Sequence, residues 1–279
     1  MSILDTAQKP VAEAPIITIV GFPGAGKTSL AGLFPKPIFI QAENAGTVFE
    51  TWSEEDKPSL LPQIKPANKV QGIRASEQVK DYLKALCTED HDYKTVVIDS
   101  VSILGALYES EVVEFDKNEV QSIGDAAGGF HKGYDVSMGM HTLVLRAAEA
   151  LKKKGITVVF LSHSAVVKLK NRPDEASDYA VYTMELHERS RKLYIAKSDA
   201  VLYLKEQQFV TGAKSDKKGN QTSMGRVQST GDRVLITSSD GTIGFVDAKN
   251  RYDLPKSIDV PKGTNPLLEL IPFFNNKEA

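Results

Sequence analysis

The chain has 279 residues, 41% apolar and 25% charged, enough for one large domain or two small ones around a sizeable core. Its net charge of −2, from 34 basic and 36 acidic residues, argues against duplex DNA coated through a general basic surface and leaves nucleic-acid contact to local loops. Cys87 is the single cysteine, and His91, His131, His141, His163 and His187 lack metal-ligand spacing, so neither a disulfide nor a thiolate metal cage is expected.

Residues 1–14, with Gln8, Lys9, Pro10 and Glu13, read as a flexible leader before one domain over 15–279. Neither a signal-peptide pattern nor a stretch of membrane-spanning length is visible, which implies a cytoplasmic protein with no membrane partner. The run Ile16-Ile17-Thr18-Ile19-Val20 predicts a buried strand, and Gly21-Phe22-Pro23-Gly24-Ala25-Gly26-Lys27-Thr28-Ser29 follows it into a helix. Residues 37–41 predict a second strand ending toward Glu43, and the proline-bearing segment 53–68 reads as irregular. Ser76 is expected to cap a helix through Val79, Leu83 and Leu86. Residues 95–99 form a β-branched strand ending in Asp99, and a helix carries Leu104, Tyr108 and Val112.

Beyond a glycine-rich loop over 116–133, an amphipathic helix runs from Val136 to Leu151 and closes on Lys152-Lys153-Lys154-Gly155. Residues 157–161 predict a strand ending at Ser162-His163-Ser164, before a polar loop over 166–180. A helix over 188–196, a strand over 200–204 and a polar stretch over 211–225 come next. Residues 234–237 and 243–246 flank Asp240-Gly241 and predict a hairpin, and Leu267, Leu268, Leu270 and Ile271 a short helix. Alternating strands and helices give an α/β fold with a mostly parallel sheet and a C-terminal antiparallel hairpin.

A glycine-rich turn between strand and helix can be only a turn, but all eight positions from Gly21 to Thr28 fit a P-loop, so ATP with Mg²⁺ is the expected ligand. Gly21, Pro23, Gly24, Ala25, Gly26 and Ser29 would cradle phosphate, Lys27 would reach the β- and γ-phosphates, and Thr28 would ligate Mg²⁺. Ligands of parallel sheets sit at the carboxyl ends of strands, where Asp99 is a second metal-side oxygen donor. ATPases of the AAA type carry a glutamate base after that aspartate; Ser100 stands here, so the base is sought at Glu43, which reads otherwise as a solvated loop carboxylate.

This order of P-loop, strand to Gln41-Ala42-Glu43-Asn44-Ala45, strand to Asp99-Ser100 and strand to Ser162-His163 resembles the RecA family core. The resemblance implies Glu43 as catalytic base and His163 as γ-phosphate sensor, where RecA itself has an amide-bearing residue. Phe160-Leu161-Ser162-His163 is similar to the Sak-type annealing ATPases of phage recombination modules, over residues 16–255. Lys249 and Arg251 resemble the family's basic pair reaching a neighbouring subunit's nucleotide, implying a homo-oligomer with ATP at its interfaces; a solvated basic turn is the other reading. DNA-facing loops would fall at 118–135 and 165–182, the second with Lys168, Lys170 and Arg172 near Tyr179 and Tyr182, although a plain solvated loop fits as well. The implied function is DNA-stimulated ATP hydrolysis on single-stranded DNA in phage recombination, with a single-strand-binding protein as possible partner and the host cytoplasm as location. A ring motor or helicase loader is the alternative, and a small-molecule kinase ranks last.

Overall fold

The computed structural model describes residues 3–7, 11–169, 179–211, 214–215, 221–223, 226–239 and 247–275. Its elements in chain order are β1 (Ile16–Gly21), α1 (Lys27–Gly32), β2 (Pro37–Gln41), α2 (Gly46–Phe49), β3 (Ser59–Leu60), α3 (Ala75–Thr88), β4 (Thr95–Asp99) and α4 (Val101–Glu114). They continue with α5 (Lys132–Lys153), β5 (Thr157–Leu169), β6 (Tyr179–Met184), α6 (Glu188–Lys197), β7 (Ala200–Thr211), β8 (Lys214–Ser215) and β9 (Gln221–Ser223). The last are β10 (Arg226–Ile236), β11 (Lys249–Asn250), β12 (Ser257–Val260), α7 (Leu267–Leu270) and α8 (Pro272–Asn275).

Among the described residues one sheet runs in the order β12-β10-β7-β1-β5-β4-β2-β3. The strands from β7 to β3 are parallel, while β10 and β12 add an antiparallel flank. The central strands are near-continuous apolar runs because helices cover both faces. On one face Ile16, Val20, Ile38, Ile40, Val96, Ile98, Val158 and Phe160 pack against Val79, Leu83, Leu104, Tyr108, Val144 and Leu151. Their neighbours Ile17, Ile19, Phe39, Val97, Val159 and Leu161 point to the other face, against Leu30, Ala31, Phe34 and Phe49 and the C-terminal Leu267 and Ile271. The alternation of side chains along each strand thus makes two cores from one sheet.

Several expectations are corrected. Helix α3 starts one residue before Ser76, and Arg74 precedes it without a side-chain cap. The Ser76 N–H and hydroxyl instead go to the buried Glu111 carboxylate, at 2.8 and 2.5 Å. Strand β5 does not end at His163: it continues to Leu169 and pairs with β6, so the polar segment expected over 166–180 is a two-stranded ribbon for its described part. Likewise β7 extends to Thr211 beside β10. Residues 234–236 are a strand as expected, paired with β7 and β12; their expected hairpin partner at 243–246 lies outside the described residues. At the leader's end, Ala14 is buried and Glu13 lies 3.6 Å from Lys152. No helix among the described residues is long and apolar enough to cross a membrane.

The core contains one titratable group with a measurable consequence. His141 on α5 is fully buried between Tyr108 and Tyr194, with Nδ1 2.9 Å from the Tyr194 hydroxyl. Burial pushes its pKa from 6.5 down to about 3. Between those values the unfolded chain binds a proton that the folded chain does not, so stability falls as pH drops below 6.5. From pH 7 to pH 5 this group alone is expected to cost about 2 kcal/mol. Urea unfolding at both pH values should show His141→Phe gaining about that amount relative to wild type; a pH-independent difference would show that the imidazole protonates in place.

Candidate nucleotide site

The P-loop turns on glycine: Gly24 and Gly26 have φ of 80° and 90°, which side chains disfavour. Gly21 answers a different constraint, since a Cβ there would lie 2.5 Å from the Leu204 carbonyl oxygen of β7. The loop closes into α1 through Leu30 N–H to Gly26 O, 3.0 Å. Lys27 lies inside this turn, buried, and its ammonium donates to the carbonyls of Gly21 and Phe22 at 2.9 and 3.0 Å. Burial lowers its pKa, and the Asp99 and Glu43 carboxylates oppose that shift.

Strand order brings the remaining groups to this loop. The Thr28 hydroxyl donates to Asp99 Oδ2 at 2.7 Å. Asp99 is buried at the end of β4, and burial raises its pKa to about 6 against the hydrogen bond from Thr28. Its backbone carbonyl accepts from Ala42 and Glu43 N–H at 2.8 and 3.1 Å, which holds the end of β2 beside it. His163, paired with Gly21 across β1 and β5, places Nε2 3.0 Å from Glu43 Oε1. That bond lowers the Glu43 pKa, with burial opposing and the Ser100 hydroxyl assisting. With Glu43 ionised, Nε2 of His163 is the donor.

Pro23, Gly24, Gly26, Lys27, Thr28, Ser29, Glu43, Val48, Asp99 and His163 therefore line one pocket of about 270 Å³. The hydroxyl of Thr28 and the carboxylate of Asp99 are hard oxygen donors a hydrogen bond apart, a pair that suits Mg²⁺ held jointly with phosphate oxygens and water. Two residues at the site were not legible in the sequence. Ser102 accepts no attention from any motif, yet its hydroxyl bonds the His163 N–H at 3.0 Å and Ser162 Oγ at 3.1 Å. Arg233 of β10 lies against Gly26, at the point where the register of β10 on β7 shifts.

Lys249 and Arg251, expected to reach a neighbouring subunit's nucleotide, lie away from this chain's own P-loop. β11 pairs with the start of β7, at the opposite end of the strands from the P-loop. There Lys249 donates to the Ile195 and Ala196 carbonyls at the end of α6, 3.0 and 2.7 Å, and Arg251 pairs with buried Asp199 at 3.1 Å. Asp199 also holds Lys152 at 2.8 Å and the Ile16 N–H at 3.0 Å. Lys168 is exposed on β5 opposite Ala180, and Lys170 and Arg172 lie outside the described residues. Tyr182 stacks on Tyr203 at 5.3 Å and meets Phe22 edge-on at 5.4 Å, so its ring is engaged within the fold.

A family model described as an AAA domain matches residues 13–252. A search of the curated proteins gave no significant match. Among solved structures the chain is similar to a KaiC-like protein from the hyperthermophilic archaeon Pyrococcus horikoshii OT3, at 13% identity and a TM-score of 0.37, over 80% of this chain and 79% of that one.

Arg251→Ala is expected to lower stability by about 1–2 kcal/mol, because it removes a charged hydrogen bond from a buried carboxylate. Denaturant unfolding measures this, and lost ATP turnover at unchanged stability would instead support the expected intersubunit role.

Proposed function

The chain belongs to the AAA-domain family, and from that premise we propose that it hydrolyses ATP at this pocket and couples hydrolysis to single-stranded DNA. The observation that carries the first part is the Glu43–His163 pair facing Lys27, Thr28 and Asp99 across one cavity. Lys27 binds the β- and γ-phosphates, and the P-loop amides hold the phosphate chain. Thr28 and Asp99 would hold Mg²⁺, which neutralises charge on the phosphate oxygens. Glu43, kept ionised by its hydrogen bond to His163, orients and polarises the attacking water.

His163 supports the coupling. Up to this residue β5 is a parallel strand beside β1, and from Ser164 onward it pairs antiparallel with β6. A change in its bond to Glu43 therefore acts on the root of the ribbon carrying Lys168. The first of the two segments expected to face DNA packs against the chain just beyond β6. Tyr134 stacks on His187, just beyond β6, at 3.9 Å, and Arg189 donates to the His131 carbonyl at 3.4 Å. On that segment Phe130 is 90% exposed, two residues from Lys132, an aromatic and a cation of the kind that sequence-tolerant single-strand binding uses. With the likeness to the Sak-type proteins, this favours recombination or annealing over a ring motor.

Glu43→Gln should keep ATP affinity within a few-fold while kcat falls about 100-fold or more, measured by phosphate release. Undiminished hydrolysis would remove Glu43 as the base. Phe130→Ala should weaken binding of a labelled single-stranded oligonucleotide by about tenfold in an anisotropy titration. If the wild type neither binds that oligonucleotide nor hydrolyses ATP faster with it, the DNA reading fails.

A further inference from the structure

The two flanks of the P-loop are chemically unlike. Toward β5, β4 and β2 stand His163, Asp99 and Glu43, the groups that serve the terminal phosphate. On the other flank the sheet continues through β7 to β10, where Leu235 pairs with Leu204 and Arg233 with Glu206. Leu204 and Leu235 lie on the face that Leu30 and Ala31 of α1 cover. Side chains two apart on a strand share a face, so Arg233 leaves the sheet on the side of α1, one step nearer the P-loop. The register of β10 shifts between Ser229 and Arg233, around Gly231 at φ 79°, and such bulges re-aim the side chain that follows. The guanidinium ends on Gly26: a Cβ built there would lie 3.4 Å from both Cδ and Cζ of Arg233 and collide with Nη1.

We propose that Arg233 is a nucleotide ligand supplied by the same chain, gripping the phosphate nearest the nucleoside while Lys27 serves the far end. The proposal rests on the nucleotide site described above. With the terminal phosphate directed at Asp99 and Glu43, the phosphate chain leaves the P-loop amides on the opposite side of Gly26, toward β7 and β10. A planar guanidinium matches two phosphate oxygens at once, which an ammonium cannot. A ligand for the inner phosphates is engaged equally in ATP, in ADP and in the transition state, so it governs affinity and not the chemical step.

Titration of the full-length protein with fluorescent ADP, and competition by ATP, tests this. Arg233→Met keeps an aliphatic stem on Gly26 and removes the charge; both nucleotides should then bind about tenfold more weakly, with kcat at saturating ATP within about twofold. Arg233→Lys should retain most of the affinity. Equal affinities for the Met and Lys variants would assign Arg233 to packing only, and lost kcat at unchanged affinity would assign it to the transition state; either overturns the proposal, as does wild-type affinity in Arg233→Met. Should the Met variant melt early, Arg233→Gln carries the same expectation. Lys27→Ala separates the two levels: if the wild type binds no ADP, or Lys27→Ala binds as well as wild type, the nucleotide site itself fails and Arg233 with it.

Discussion

Asp99 joins the pocket together with both of its ends. Its side chain accepts from Thr28 on α1, and its main-chain carbonyl accepts from Ala42 and Glu43 at the end of β2. Those partners follow strands on either side of it, Thr28 after β1 and Ala42 and Glu43 after β2, since β5 and β1 lie to one side of β4 and β2 to the other. A residue bonded to one flank alone would leave Glu43 free to swing from the P-loop. The arrangement costs desolvation of a carboxylate, visible in the raised pKa, and is offset by the Thr28 hydrogen bond and the nearby Lys27 charge. A cation shared with phosphate at this point would reverse that penalty, because a bound ion sets the local pKa order.

From this fixed centre two physical links run outward to the β5–β6 ribbon. One is covalent, through His163 at the point where β5 changes partners. The other is packing: Phe22 of the P-loop meets Tyr182 of β6 and Tyr203 of β7 edge-on, at 5.4 and 6.4 Å. The ribbon is thus attached to both ends of the phosphate site, at the group beside Glu43 and at the loop that holds the phosphates.

What was legible in the sequence follows from what each residue depends on. The central strands announced themselves because burial on both faces demands uninterrupted apolar runs, and strand ends then located Asp99, Glu43 and His163. The ribbon was hidden because its exposed face carries an apolar residue: Val166 is 58% exposed beside exposed Lys168, so the sequence does not alternate apolar with polar where burial does. Lys249 and Arg251 had the right spacing for a shared face, but spacing cannot say at which end of a parallel sheet a short strand attaches. Pairing of Lys249 with Val201 and Asn250 with Ala200 decided that, and it took both cations to the Asp199 end. Arg233 depended on a bulge, which shifts register without leaving a motif.

Position 100 shows how a departure from the AAA-type arrangement is accommodated. Ser100 is fully buried, and its hydroxyl accepts from the Ile103 N–H at 3.4 Å as the cap of α4. A glutamate there would lose that cap and place a longer, charged group in a buried position, at the cost attached to any uncompensated carboxylate. The serine instead serves the neighbouring strand, because it helps the His163 hydrogen bond to keep Glu43 ionised. Under the proposed function the carboxylate is not missing from the site; it has moved across the strand pair β4 and β2, and its protonation state is held there by groups from β4 and β5 together.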